Sequence, residues 1–166
     1  EQLKRIQPIH PVTSLQPPYS MLRREVEEEI LPYCRENQIG IVAYSPMQAG
    51  LLTGRFSKER VQNLPANDWR KANPFFTSPQ LEANLSIIER LRPVAAQMEI
   101  TLPQLALAWV LRRSEMTAAI AGARGRRGPW NPSGLAWLGF STGPDPAPRH
   151  PRHLMVMPPA PLPAPT

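Results

Sequence analysis

IGIVAYSPMQAGLLTG, residues 39–54, joins a short apolar run to a loop of small residues that carries Tyr44, Ser45 and Pro46. Ile39, Ile41, Val42 and Ala43 follow one another without polar alternation, the pattern of a strand covered on both faces in a parallel sheet. Polar chemistry starts only where that strand ends. Ligands of α/β proteins bind beyond the carboxyl ends of the strands, so Tyr44, Ser45 and the loop through Gly50 and Gly54 stand where a site is expected.

Working outward from this stretch, residues 1–6 read as the end of a helix stopped by Pro8 and Pro11, and residues 12–16 as a short strand closed by Gln16. A helix over 24–35 follows, with Val26, Ile30, Leu31 and Cys34 on one face, Glu27, Glu28 and Glu29 solvated, and Pro32 expected to kink it. Beyond the quoted stretch, residues 55–79 lack periodicity and read as one long polar loop, of a length that is often functional. Residues 79–98 are helical, with Leu81, Leu85, Ile88 and Leu91 aligned and an interruption expected at Pro93. Thr101 then opens a further helix, with Gln104 three residues on in a capping-box arrangement and Leu102, Leu105, Ala106, Trp109 and Val110 on its core face. Residues 117–121 form a third strand leading into Gly122, Ala123 and Arg124. Strand, helix, strand, helices, strand is the order of parallel βα units. Three strands make an incomplete sheet, so further strands are expected upstream.

The chain has 166 residues, 22 prolines and a formal charge of +6. Half of the prolines follow Arg124, and residues 125–166 hold four arginines against one acid. Proline there breaks every helix and no apolar period survives, so this second segment is expected to be a disordered Pro/Gly/Arg-rich tail, of a composition that suggests an altered reading frame or splice variant. The alternative is a proline-rich ligand for aromatic-lined domains. No dense basic patch is present and acidic residues interleave with basic ones, which argues against nucleic acid. A single cysteine, Cys34, forms no internal disulfide and fits a reducing compartment, and no Cys/His/carboxylate cluster has metal-ligand spacing. Nothing approaches a membrane span or a signal peptide's apolar core, so the expected location is cytoplasmic. The missing initiator Met suggests a longer parent.

Three strand ends carry the chemistry. The Tyr44 ring can face a flat ligand while Ser45 and the amides of the 50–54 loop hold a phosphate; equally, Tyr44 can cap the core above an ordinary turn. Gln16 offers a paired donor and acceptor to an amide-bearing ligand, or simply bonds the loop that follows it. Arg124 can meet a phosphate bidentately or sit free on the surface.

VTSLQPPYSML, IGIVAYSPMQAGLLTGRF, TLPQLALAWVL and AAIAGAR, in that order and spacing, resemble the C-terminal half of the aldo-keto reductases, over residues 1–124. The branch it is most similar to carries a Tyr-Ser-Pro-Leu strand end, in which Met47 here replaces the commoner Leu. The resemblance implies an α/β fold, a partial (β/α)8 TIM barrel made of strands six to eight and their helices. It implies a parent that reduces aldehydes or ketones by hydride transfer from NADPH, or from NADH. By the same resemblance Gln16 binds the nicotinamide carboxamide and Tyr44 stacks on the nicotinamide ring. Ser45, Met47, Gly50 and Leu52 line the pyrophosphate path, and Gly122, Ala123 and Arg124 open the segment that holds the adenosine end. The family's catalytic Asp, Tyr, Lys and His come from the first four strands, and Lys4 and His10 sit on the wrong segments to replace them. The chain is therefore expected to hold part of a cofactor cradle, no catalytic residue and no metal, and to be inactive alone. A non-enzymatic interaction protein, acting through barrel-fragment assembly with a partner protein or through the tail, is the alternative.

Overall fold

A computed structural model describes residues 1–122 together with the backbone of residues 153–157. Its elements are α1 (Gln2–Ile6), β1 (Ser14–Leu15), α2 (Ile30–Glu36), β2 (Gly40–Ala43), α3 (Lys58–Gln62), α4 (Gln80–Gln97), α5 (Leu102–Leu111), β3 (Met116–Gly122) and β4 (His153–Met157), with short 3-10 turns between several of them. The sheet order is β1-β2-β3-β4. Every pairing is parallel: Leu15 stands opposite Ile41, Ala43 opposite Ala119, and Gly122 opposite Met157.

The three strands expected from the sequence are present. β1 is reduced to two residues because Pro17 and Pro18 have no ladder amide to offer. Ile41 and Ala43 are fully buried while Gly40 and Val42 are half-buried, so β2 is more thoroughly covered on one face than the other.

Other expectations are corrected. The helix over 24–35 is two pieces, a 3-10 turn at Glu25–Glu27 and then α2. The break falls before Ile30 and not at Pro32, which lies in the first turn of α2, where a missing amide costs no intrahelical bond. Glu27 is not solvated; it lies under Tyr19 and between arginines. The region 55–79 is no simple loop: Ser57, Asp68 and Asn73 each accept a backbone N–H from two or three residues on, and start α3 and 3-10 turns at Trp69–Ala72 and Pro74–Phe76. α4 continues through Pro93. Pro93 is on the exposed face, so the Glu89 carbonyl that loses its partner can bond water.

α5 holds the layers together. Its capping box forms as expected: Thr101 Oγ1 accepts the Gln104 N–H at 3.4 Å and Gln104 Oε1 accepts the Thr101 N–H at 2.9 Å. Leu107, Val110 and Leu111 face the sheet with Ile41, Met116 and Ala119. Leu102, Leu105 and Ala106 face the opposite way, toward α4 and the segment after β2, with Leu52, Phe76 and Ile88. A helix used on both sides is apolar nearly all round, which explains why its core face is wider than the expected stripe.

β4 falls in the segment for which no element is expected. Its residues belong to RHLMVM, the proline-free run between Pro151 and Pro158, and its backbone pairs along β3 from Ala118 to Gly122. The rest of residues 123–166, and with it the expectation of disorder, lies outside the described residues.

Candidate functional site

Because the sheet is parallel, Gln16, Tyr44 and Gly122 emerge at one end of it. Backbone bonds stitch the first two exits together: the Tyr44 N–H donates to the Pro17 carbonyl at 3.0 Å and the Tyr19 N–H to the Tyr44 carbonyl at 3.2 Å. Tyr44 is thus fixed by its backbone on both sides while its side chain stays 41% exposed. Gln16 is exposed as well, and a side chain built on Gly122 would meet nothing within 4 Å. An aromatic face and an amide therefore stand free at adjacent strand ends. Ala123 and Arg124 lie outside the described residues.

After Tyr44 the chain turns through a left-handed path. Ser45, Gln48 and Ala49 have φ of 52°, 46° and 51°, and Gly50 follows at 97°. Positive φ at three non-glycine residues is strained, and clusters of such strain occur where a segment is held for a purpose. Ser45 is exposed, whereas Met47 packs between the two apolar clusters and Leu52 is fully buried. The Gly50 and Leu52 amides both donate to the Met47 carbonyl, at 3.1 and 3.2 Å, and the Gly54 amide to Leu51 at 3.1 Å. Three of the amides expected to face a phosphate, those of Gly50, Leu52 and Gly54, are thus engaged within the turn.

Cations stand nearby instead. A side chain built on Gly50 would come within 3.3 Å of Phe56, and the Arg60 and Arg70 guanidinium carbons lie 5.1 and 5.4 Å from the Phe56 ring centre. Arg60 Nη1 donates to the Arg55 carbonyl at 3.1 Å, while Arg70 is paired with Asp68. The sequence reading missed this group because residues 55–79 carry no period; the signal available was the repeated capping residue ahead of each short turn.

Beside Phe56 the Asp68 carboxylate pushes the Arg70 guanidinium up, and two other groups with displaced acidity are shut in. Tyr19 is fully buried and its phenol is pushed up to about 12, first by burial and then by its bond to Glu27. Burial also pushes the Cys34 thiol up, the opposite of what a thiolate nucleophile needs. Among the described residues no group of three or more His, Cys, Asp or Glu side chains could hold a metal ion. No single helix among them is long and apolar enough to cross a membrane. A shallow depression beside α1, lined by Gln2, Arg5, Ile6 and Ile9, includes none of the strand-end residues.

The model of the Aldo/keto reductase family matches residues 1–127. Probable aldo-keto reductase 1 of Glycine max is 43% identical over 122 residues, which make up 74% of this chain and 34% of that protein. The chain thus spans about a third of the length of this curated relative. The solved glycerol dehydrogenase AKR11B4 of Gluconobacter oxydans superposes with a TM-score of 0.68 at 27% identity, over 86% of this chain and 41% of that one.

Proposed function

Since the chain belongs to the aldo/keto reductase family, we propose that it is the cofactor-side part of an NADPH-dependent carbonyl reductase, a partial barrel that holds the nicotinamide half of the reaction. The observation that carries this reading is the exposed Tyr44 ring at the end of β2, with Gln16 beside it at the end of β1. A flat, cationic or neutral pyridine ring can lie on a tyrosine face, and a carboxamide can exchange paired hydrogen bonds with a glutamine amide.

These residues fit the group. Gln16 would orient the carboxamide and Tyr44 would back the nicotinamide ring; Ser45, with Met47, Gly50 and Leu52 shaping the turn beneath it, would follow the pyrophosphate. The Arg60 guanidinium near Phe56 adds positive charge on that side, which favours an anionic ligand, while the charge of Arg70 is taken up by Asp68. Gly122, with Ala123 and Arg124 after it, would lead toward the adenosine end, where a basic residue favours the 2′-phosphate of NADPH over NADH. When bound, the cofactor supplies a hydride to an aldehyde or ketone carbon.

Proton delivery to the carbonyl oxygen needs a positioned acid titrating near the working pH. Tyr19, whose N–H holds the Tyr44 carbonyl, is buried with its phenol pushed up to about 12. We therefore assign this chain a binding and orienting role, with the donor provided by strands other than β1, β2 and β3. Titrating the protein with NADPH and with NADH, followed by cofactor fluorescence, tests the reading: saturable binding without carbonyl-dependent oxidation is expected. Absence of binding up to millimolar cofactor would overturn it.

A second reading rests on β1, which among the described residues pairs on one side only. An interaction protein would use that free edge to join strands of another chain, and light scattering would then find assemblies whose formation a Ser14→Pro substitution prevents.

A further inference from the structure

Ser20 and Gln48 are both polar and both buried, at 0% and 7% exposure. They meet across the molecule: the Ser20 hydroxyl donates to Gln48 Oε1 at 2.9 Å. Ser20 belongs to the segment that leaves β1, where it closes a tight turn with Arg23 through two backbone bonds of 3.0 and 3.1 Å and accepts the Leu22 N–H at 3.3 Å. Gln48 belongs to the left-handed turn that leaves β2, its own N–H donating to the Ser45 carbonyl at 2.9 Å.

A long side chain on a residue with φ of 46° is an unexpected choice. Glycine would take that backbone at no steric cost. Burying a glutamine amide is also unfavourable unless it is bonded. Both penalties at one residue need a compensating role, and the bond to Ser20 is the one that crosses between segments. It joins the exit that carries Gln16 to the turn that carries Ser45, while Met47 beside it is wedged between the two apolar clusters.

We propose that Ser20 and Gln48 act as a positioning pair that holds the Ser45–Gly50 turn in its left-handed form and sets its placement against the Gln16 exit. The pair touches no cofactor; that it serves a cofactor rests on the function proposed above. Gln48→Met keeps the length and removes the acceptor, whereas Gln48→Glu keeps an oxygen for the Ser20 hydroxyl. Ser20→Ala removes the donor with little change of shape.

Amide hydrogen exchange on the full chain tests the pair. Losing one partner of a buried bond should speed exchange over residues 45–54 about tenfold in Ser20→Ala and in Gln48→Met, with α5 unchanged. The double variant should match either single one, because the two side chains act as a unit. Gln48→Glu should restore slow exchange, a rescue that mere filling of space would not distinguish from methionine. Unchanged exchange, additive effects, or Gln48→Glu behaving as Gln48→Met would each overturn the proposal. Should Ser20→Ala fail to fold, the two Gln48 variants decide it. Titration with NADPH separates the premises: exchange effects without any wild-type binding would leave the pair standing and remove the cofactor reading.

Discussion

The Tyr19 hydroxyl donates a 2.6 Å hydrogen bond to Glu27 Oε1, inside a cage that also contains Arg24, 2.7 Å from Glu27, and Arg112, 3.6 Å from it. Arg112 in turn stacks on Trp109 of α5, with its guanidinium carbon 3.6 Å from the ring centre. Tyr19 is the residue whose backbone N–H holds the Tyr44 carbonyl. The exit of β1, the exit of β2 and the end of α5 are thus fastened at one point.

Removing the phenol should loosen that point without emptying it. Tyr19→Phe leaves Glu27 with its two arginines and deletes two bonds, the one donated to Glu27 and the one accepted from Arg112 Nη1 at 3.4 Å, so a loss of about 1.5–3 kcal/mol is expected. Urea unfolding would report it as a lower midpoint at an unchanged slope. A midpoint equal to that of the wild type would mean that the aromatic packing alone holds this loop.

The same cage sets a pH dependence with two limbs. Burial pushes the Glu27 carboxyl up, but the bonds from Arg24 and Tyr19 and the arginine charges outweigh it and hold the group at about 2, below its ordinary 4.5. Its contribution is therefore complete above about pH 4.5 and is lost as pH falls toward 2; because Arg24 is largely exposed, solvent screening leaves about 1–2 kcal/mol of it. Tyr19 has the opposite sign. Its folded value of about 12 lies above the ordinary 10, so its contribution is complete below pH 10 and is lost as pH rises through 12. Stability measured from pH 2 to 12 should fall at both ends in the wild type. In Tyr19→Phe the alkaline limb should flatten.

Gly54 ends the turn after β2 at φ 70°, and a side chain there would run into Leu102 and Arg92. Gly54→Ala meets both penalties, one of backbone and one of space, at the seam between that turn and α5. A destabilisation of about 2–4 kcal/mol is expected, read as a drop in thermal midpoint. Gly122→Ala, with open space around it, is the control and should change the midpoint little.

What the sequence disclosed was what depends on neighbours in the chain. The run Ile39 to Ala43 and the Thr101 to Gln104 spacing obey rules of a few residues: the strand forms over Gly40–Ala43, though covered better on one face than the other, and the capping box forms as read. Glu27 was misread because the partners that draw it under the surface, Tyr19 and Arg112, are distant in sequence and its local spacing is that of a solvated face. Pro93 was misread because the cost of a helix proline depends on whether the orphaned carbonyl meets water, and periodicity alone does not say which face it takes. At the site, the residues on strand ends were legible and those around Phe56 were not. The Ser20 to Gln48 bond joins two segments whose approach is decided only by packing.

Tyr44 offers the sharpest separation of binding from folding. Its side chain is exposed, while the backbone bonds that fix it, to Pro17 and Tyr19, do not involve the ring. Tyr44→Ala should accordingly leave the urea midpoint within about 0.5 kcal/mol of the wild type, as surface substitutions usually do. If the ring backs a nicotinamide, the same change should weaken NADPH binding by roughly tenfold, the loss of about 1.4 kcal/mol that a stacked ring can supply. Tyr44→Phe retains the face and should retain the affinity. Fluorescence titration of the three proteins checks the pattern. Equal affinities would make Tyr44 a cap on the strand end, and a falling midpoint in the alanine variant would assign the ring to the core instead.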